Sequence, residues 1–429
     1  MRVCVVGAGG REHALAVALS RTASDVVVTP GNPGIPGSVP ARPEDVDADL
    51  FVIGPETPLV DGLADRLRAA GRLVFGPDAD GARLEGSKAW MKDVLADAGV
   101  PTASYGAFTE VAPALDFLGT LPGPWVVKTD GLAAGKGVLV TDSFDEAVAD
   151  VRAKLSGEAF GGAGRRVVVE EWLDGPELSL LCVCDGHLAV PLAPAQDFKR
   201  LGDGDAGPNT GGMGAYSPVP SAGPDVIAEV LERAVQPTLD ALRARGIDYR
   251  GVLYAGLMLT SEGPKVLEYN VRFGDPEAQV VLPRYTGDLA ALLAEAAAGG
   301  LRSAPQFDDR AAVTVVLAAD GYPRSPRTGD VIEGLDEADK LPDVTVFCAG
   351  VGRDGAGRWV TAGGRVLNVT GMGDDVAAAR RTAYAAVSRI SWPSMQYRAD
   401  IASCPPRAVT STISAGTTTR NAHNRKELP

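Results

Sequence analysis

The chain has 429 residues, 45% hydrophobic and 22% charged, which is enough for two to four domains with full cores and excludes a protein dominated by disorder. A formal net charge of −14 argues against a nucleic-acid partner held by a basic face, while leaving room for local basic pockets that bind small phosphates. No apolar run approaches ~18 residues, the N-terminus passes straight into a buried-strand pattern, and the five scattered cysteines suit a reducing compartment, so a cytoplasmic protein with no membrane partner is expected. Cys182 and Cys184 share a strand face, but nothing nearby completes a zinc set.

The N-terminal segment alternates strand and helix: strands at 3–6, 26–29, 50–53 and 73–75, helices at about 12–19 and 59–70. Such alternation implies a parallel sheet with helices on both faces. The loops leaving the carboxyl ends of three strands read Gly7-Ala8-Gly9-Gly10-Arg11-Glu12, Gly31-Asn32-Pro33-Gly34 and Gly54-Pro55-Glu56, where open α/β sheets bind ligands. The first is not a dinucleotide fingerprint, since Glu12 stands where a small residue is needed and Thr29-Pro30-Gly31 supplies no acidic group for a ribose. A glycine loop opening a helix, with Arg11 beside it, suits a single phosphate.

A helix over 87–97 follows, closed by Gly99-Val100-Pro101, which marks a boundary. The next segment, Val126-Val127-Lys128-Thr129-Asp130-Gly131-Leu132-Ala133-Ala134-Gly135-Lys136-Gly137-Val138, has the build of a phosphate clamp. Small residues let backbone N–H groups approach an anion, and lysine adds a mobile point charge. It is not a P-loop: Gly131 to Gly135 is one residue short, Gly137 takes the magnesium-binding hydroxyl position, and a strand rather than a helix follows. The loop therefore reads as a hairpin tip folding over phosphates.

Beyond a helix at 144–155, Val168-Val169-Glu170-Glu171-Trp172-Leu173-Asp174-Gly175-Pro176-Glu177 runs from a strand into an extended segment. Trp172 and Leu173 could wall an adenine, and Glu177 could meet ribose hydroxyls. A larger α+β unit over 190–301 holds the low-complexity loop at 207–218, a helix at 225–245, strands at 252–259 and 265–269, and a helix at 287–298. Within it, strand alternation through Lys265-Val266-Leu267-Glu268-Tyr269-Asn270-Val271-Arg272 puts Glu268, Asn270 and Arg272 on one face, with Leu267 and Tyr269 on the other. Glu268 and Asn270 are the hard oxygen donors a magnesium ion takes when phosphates complete its shell, and Arg272 can hold an oxyanion bidentately. Residues 306–402 read as a third domain of strands with one helix at 376–389, and 403–429 as a disordered tail.

Three of these segments, in this order, resemble the ATP-grasp superfamily, and within it the phosphoribosylamine–glycine ligase family. The likeness extends over 1–402 and includes Gly7 through Ala14, Leu84-Glu85-Gly86-Ser87-Lys88, Gln196-Asp197-Phe198-Lys199-Arg200, Pro208 through Pro218 and Glu268 through Glu277. It implies an α/β and α+β multidomain fold: an N-terminal parallel-sheet domain (1–103), an ATP-grasp domain (104–305) with a mobile lid at about 120–188, and a small mainly β C-terminal domain (306–402). It also implies an enzyme that uses ATP and Mg2+ or Mn2+ to join glycine to 5-phosphoribosylamine through glycyl phosphate, a step of purine biosynthesis; a monomer is expected. By the same resemblance Lys128, Gly131, Gly135, Lys136 and Gly137 contact ATP phosphates, Glu171, Leu173 and Glu177 hold adenosine, and Glu268 and Asn270 bind the metal. Arg272, Lys128 and Asp275 are the catalytic candidates. Gly9, Gly10, Arg11, Asn32, Pro33, Gly34, Glu56, Asp197, Lys199, Gly274, Asp275 and Pro276 surround the phosphoribosylamine. A biotin or aminoimidazole-ribonucleotide carboxylase is the nearest competitor, and the 208–218 and 272–277 signatures favour the ligase. Two departures stand out. The strand before Glu268 lacks the acidic metal ligand many ATP-grasp enzymes carry there, and Phe198 stands where many relatives have histidine. His13, in the first turn of a helix, reads as structural rather than catalytic.

Overall fold

The computed structural model describes residues 1–131, 137–157 and 165–403. Gly135 and Lys136 of the expected flap, and the expected tail from 404 onward, lie outside the described residues. The N-terminal strands β1 (Arg2–Gly7), β2 (Asp25–Pro30), β3 (Leu50–Ile53) and β4 (Val74–Phe75) form a parallel sheet in the order β2-β1-β3-β4. Its centre is apolar on both faces: Val3 and Val5 of β1 enter one core while Cys4 and Val6 enter another. That double burial is why these strands read as unbroken hydrophobic runs. Helix α1 (Gly10–Leu19) starts from the first glycine loop. The single helix expected over 59–70 is two, α2 (Glu56–Val60) and α3 (Leu63–Ala69), broken at Gly62, whose φ of 74° lies in the left-handed region. A further helix, α4 (Ala79–Gly86), was not foreseen, because its glycines and charges hide its period; α5 (Lys88–Asp97) follows, capped by Ser87.

The second body is an antiparallel sheet in the order β5-β8-β6-β7, made of β5 (Tyr105–Phe108), β6 (Trp125–Thr129), β7 (Val138–Thr141) and β8 (Val167–Glu171). Helices α6 (Val111–Leu118) and α7 (Phe144–Leu155) cover it, and their small core of Ala114, Leu118, Val127, Ala147, Val151, Val167 and Val169 is separate from the main ones. A unit with its own core can pivot without opening the rest.

The third body centres on β9 (Glu177–Asp185), β10 (Ala189–Pro191), β15 (Arg250–Thr260) and β16 (Gly263–Asn270), ordered β10-β9-β15-β16. The strict alternation expected along β16 is broken. Leu257 pairs with Val266 and Gly256 with Glu268, so Leu267 is an extra, bulged residue. Val266 and Tyr269 therefore supply the core contacts, whereas Leu267, expected on Tyr269's face, is half-buried and outside the core. The stretch at 225–245 is one helical rod, α8 (Pro224–Val230), a π turn over Leu231–Val235 and α9 (Gln236–Ala244).

The last sheet draws on distant parts of the chain. Strands β11 (Gln196–Asp197) and β14 (Gly214–Ser217) pair with β17 (Ala311–Ala318), β18 (Val344–Cys348) and β21 (Arg365–Gly373) in the order β11-β14-β17-β21-β18. The low-complexity loop thus supplies strand β14, and before it β12 (Arg200–Gly202) pairs with β13 (Ala206–Asn209) as a hairpin. Between β18 and β21 lies the small hairpin of β19 (Val351–Arg353) and β20 (Trp359–Thr361).

Candidate active site

At the end of β1 the Glu12 side chain turns back on its own loop. Gly9 N donates to Glu12 Oε2 at 2.6 Å and Arg11 Nε to Glu12 Oε1 at 2.6 Å, a capping arrangement that satisfies one of the free N–H groups at the start of α1. A Cβ on Gly54 would lie 2.0 Å from Glu12 Oε1, so glycine at the end of β3 is required by this close approach. Arg11 is thereby fixed with Nη1 donating to Phe273 O at 3.3 Å, which joins the first glycine loop to the segment after β16.

That segment brings Arg272 between two carboxylates of the N-terminal domain. Its Nη2 is 2.7 Å from Glu85 Oε1 at the end of α4, and its Nε is 3.3 Å from Glu56 Oε2 at the start of α2. Val271 N also donates to Glu85 Oε2 at 2.9 Å. Burial alone would weaken the guanidinium's hold on its proton, but Glu85 and Glu56 outweigh it and raise the Arg272 pKa. Burial likewise pushes the Glu56 carboxyl up, and Arg272 and Arg11 together bring it below its ordinary range. Asp275 is bound by Gln279 Nε2 at 2.8 Å and Arg365 Nη2 at 3.2 Å, and a Cβ on Gly9 would sit 3.7 Å from its Oδ2. Arg365 reaches out of β21 and also donates to Asp275 O, Gly211 O and Gly212 O, so one guanidinium ties the glycine-rich loop to the 272–277 turn.

Across β16, Lys128 is buried at the end of β6, with Nζ 3.0 Å from Glu170 Oε2 and donating to Leu267 O at 3.2 Å. The bulge frees the Leu267 carbonyl for this contact. Lys88 opens α5 with Nζ donating to Gly131 O at 3.3 Å, and Asp130 accepts from Ser87 Oγ at 3.1 Å and Ala89 N at 3.2 Å. The root of the flap is thereby locked to the first turn of α5, while Thr129 N donates to Gly137 O across its base at 2.8 Å. Burial pushes the Glu268 carboxyl up, but Lys88, Lys128, Lys199 and Arg272 outweigh it and lower its pKa. Among the described residues no group of three or more His, Cys, Asp or Glu is arranged to hold a metal ion. The site instead offers one ionised carboxylate, Glu268, and the amide oxygen of Asn270. These hard donors fit a divalent cation that takes its remaining ligands from a polyphosphate and water.

Between the two sides, Lys199 bridges Glu177 Oε2 and, at 3.1 Å, Asp197 Oδ1. Burial is the chief reason the Asp197 carboxyl is pushed up to about 7; Lys199 opposes this, and Glu277 and Glu177 add to it. Glu277, buried, accepts from Tyr254 OH at 2.6 Å. Glu171 Oε1 accepts from Ser104 N at 2.9 Å, Leu173 is buried, and Trp172 is 43% exposed.

Most expected residues thus converge. Asn32 is different: its amide donates to Ala8 O, Cys348 O and Ala349 O, and its Oδ1 accepts from Gly34 N, so the side chain is spent joining the second glycine loop to the C-terminal domain. Pro33 is exposed. His13 Nδ1 accepts from Cys348 N at 2.8 Å, and burial lowers its pKa to about 4. Sequence reasoning passed over Glu85, Lys88, Glu170 and Arg365 as site residues. Lys88 carried a signal, since a cation in the first turn of a helix opposes the macrodipole and needs another reason to be there; the rest are defined by tertiary contacts.

Residues 1–85, 86–278 and 312–404 match, in turn, the models described as the N domain, the ATP-grasp (A) domain and the C domain of phosphoribosylglycinamide synthetase. Among curated proteins, the chain is 49% identical over 420 residues to the phosphoribosylamine–glycine ligase of Xanthomonas campestris, covering 94% of this chain and 97% of that one. It is 50% identical over 421 residues to the enzyme of that name from Streptomyces coelicolor, covering 94% and 99%. The crystal structure of phosphoribosylamine–glycine ligase from Thermotoga maritima superposes with a TM-score of 0.83 at 36% identity, covering 94% of this chain and all of that one. The matched domains and this superposition bear out the expected multidomain α/β and α+β fold with an N-terminal parallel sheet, an ATP-grasp domain and a small C-terminal β domain.

Proposed function

The chain belongs to the phosphoribosylglycinamide synthetase family, and from that premise we propose that it joins glycine to 5-phosphoribosylamine with ATP, through glycyl phosphate, releasing glycinamide ribonucleotide, ADP and phosphate. The observation that carries this reading is the end of β16. There Glu268 and Asn270 adjoin the lysines rooted beside the flap, and Arg272, two residues on, reaches the N-terminal loops through Glu56 and Glu85.

On this reading Lys128 and the loop from Gly131 to Gly137, including Gly135 and Lys136, contact the ATP phosphates. Glu171 and Leu173 hold the adenine end, and Glu177 accepts from ribose hydroxyls through the carboxylate that Lys199 steadies. Glu268 and Asn270 would hold Mg2+ or Mn2+, which when bound supplies neutralisation of phosphate charge. Arg272 orients the glycine carboxylate and the phosphoryl group arriving on it, its own geometry pinned by two carboxylates so that little reorganisation is needed. Phosphoribosylamine lies along Gly9, Gly10, Arg11, Pro33, Gly34, Glu56 and the Gly274-Asp275-Pro276 turn, with Asp197 and Lys199 behind it; Asn32 acts by shaping the loop. An amine attacking an activated acyl group asks for positioning and charge neutralisation rather than a strong base, which suits a chain with three histidines. The lid is taken as about 120–188 of an ATP-grasp domain at 104–305, between an N-terminal domain at 1–103 and a C-terminal one at 306–402.

The enzyme is read as a cytoplasmic monomer acting on small molecules, with no nucleic-acid or membrane partner. Its net charge of −14 supports this, and among the described residues no helix is long and apolar enough to cross a membrane. The test is phosphate release with ATP, magnesium and glycine, which should require freshly generated phosphoribosylamine. Equal turnover with bicarbonate in place of glycine would sink the assignment.

A further inference from the structure

Lys92, on the buried face of α5, lies outside the set of residues that meet ATP, glycine or phosphoribosylamine. Its side chain is fully buried, and Nζ donates to Thr102 Oγ1 at 2.7 Å and lies 3.3 Å from Glu170 Oε1. Thr102 in turn donates to Val266 O at 2.6 Å, so the hydroxyl is fixed to β16. The other oxygen of Glu170 is 3.0 Å from Lys128 Nζ. Glu170 Oε1 has no hydrogen-bond donor among the described residues, and Lys92 is its compensating charge.

A buried ammonium paired one to one with a buried carboxylate acts on a third ion as a dipole, whose attraction is weaker and falls off faster than that of a lone charge. Glu170 alone would therefore offset much of the attraction between Lys128 and a phosphate. With two ammonium groups on one carboxylate, the triad keeps a single positive charge, and its exit is through Lys128, the member beside Glu268. Building such an excess into a dry interior is costly unless an anion repays it.

We propose that Lys92 is a positioning residue for the nucleotide: by neutralising Glu170 it leaves the Lys128 ammonium free to attract the ATP polyphosphate. The inference rests on the nucleotide site described under Proposed function and adds to it a residue that does not touch the ligand. It also spans two bodies, because Lys92 and Thr102 precede the lid sheet while Glu170 and Lys128 belong to β8 and β6. The same contacts thus link the root of the lid to β16 through Thr102 and the Val266 carbonyl.

The groups facing Lys92 are Glu170 and Glu171 from β8, Lys128 from β6 and the Tyr105 ring from β5, with Nζ 5.4 Å from that ring's centroid. Burial lowers the Lys92 pKa to about 8, with Lys128 acting in the same direction and Glu170 and Glu171 opposing. Nucleotide affinity should accordingly weaken as the pH rises through this range, and a bound polyanion should draw the proton back.

The experiment measures ATP binding to the full chain by calorimetry, with magnesium and without glycine or phosphoribosylamine. Lys92→Met should weaken binding about 10-fold, the order expected for losing one buried charge separated from the phosphate by Glu170 and Lys128. Lys92→Met combined with Glu170→Gln restores one net charge and should recover affinity to within about threefold of the parent chain. A purely structural role predicts the opposite, with the double variant no better than the single one, and that result would overturn the proposal. Unchanged affinity in Lys92→Met would overturn it as well. Should Lys92→Met not fold, Lys92→Arg decides: the parent chain should lose affinity between pH 7 and 9 and the arginine variant should not, whereas equal profiles refute the inference. Charge-dependent binding without phosphoribosylamine-dependent turnover would leave this inference standing and remove the ligase reading.

Discussion

Around Arg272 a single guanidinium lies between two carboxylates, Glu85 at 2.7 Å and Glu56 at 3.3 Å, while around Glu170 a single carboxylate lies between two ammonium groups, Lys128 at 3.0 Å and Lys92 at 3.3 Å. The first cluster is balanced toward negative charge and built from a planar fork whose contacts set its orientation. The second carries excess positive charge on long flexible stems. On the reading proposed above, the polyphosphate meets uncompensated positive charge, and the glycine carboxylate meets a guanidinium whose orientation two carboxylates already fix. Glu268 stands between them, drawn to its ionised form by lysines from one side and Arg272 from the other.

The strongest challenge to this division is to empty its middle. Glu268→Ala should reduce turnover by about a thousandfold or more in the phosphate-release assay, and near-normal activity would refute the metal role. Next comes the balanced side. Arg272→Met leaves Glu85 and Glu56 without their shared cation and should cost about 3–5 kcal/mol of unfolding free energy in urea. Adding Glu85→Gln should recover part of that loss, and no recovery would mean that the pair is not the source of the cost.

A third prediction concerns the helix that carries the first glycine loop. Burial holds the His13 pKa near 4 in the folded state, below the ordinary histidine value of 6.5, so the unfolded chain binds more protons between those values. The contribution is fully present above pH 6.5 and is lost as the pH falls toward 4. It amounts to about 3 kcal/mol. Denaturation of His13→Asn across that window should have a flatter pH dependence than the parent chain. The smallest effect is steric. A Cβ on Gly10 would sit 2.4 Å from Asn368 Oδ1 and 2.9 Å from Gln279 Nε2, so Gly10→Ala should destabilise by about 1–3 kcal/mol in the same assay. Asn368→Ala, which removes the obstructing amide, should relieve much of it.

How far the sequence could be read varied with how local each feature is. The parallel sheet was legible because both its faces are buried and its strands are continuous apolar runs, and helix α7 was legible because Ser143 and Phe144 to Leu155 carry a cap and a clear period. The bulge at Leu267 was not, since alternation in a single strand cannot reveal that its partner skips a residue. Nor was the pairing of β14 with β17, because the contact joins residues about a hundred positions apart, with nothing periodic in a glycine-rich loop to announce it. Glu85 was quoted in a motif but not as a site residue, because it became one only when α4 packed beneath Arg272.

What the sequence determined by itself was chemistry: a flap lysine before a glycine loop, a carboxylate and an amide oxygen followed by an arginine at the end of a strand, and too few histidines for a base-driven reaction. These depend on residue types a few positions apart, which local backbone geometry already brings to one place. Charge balance was decided by the tertiary structure alone. Whether Lys128 is free or cancelled depends on Glu170, and whether Glu170 is neutralised depends on Lys92, which stands on a helix of another body. Electrostatic energy is set by separation in space and by exclusion of water, and neither exists until the sheets have packed.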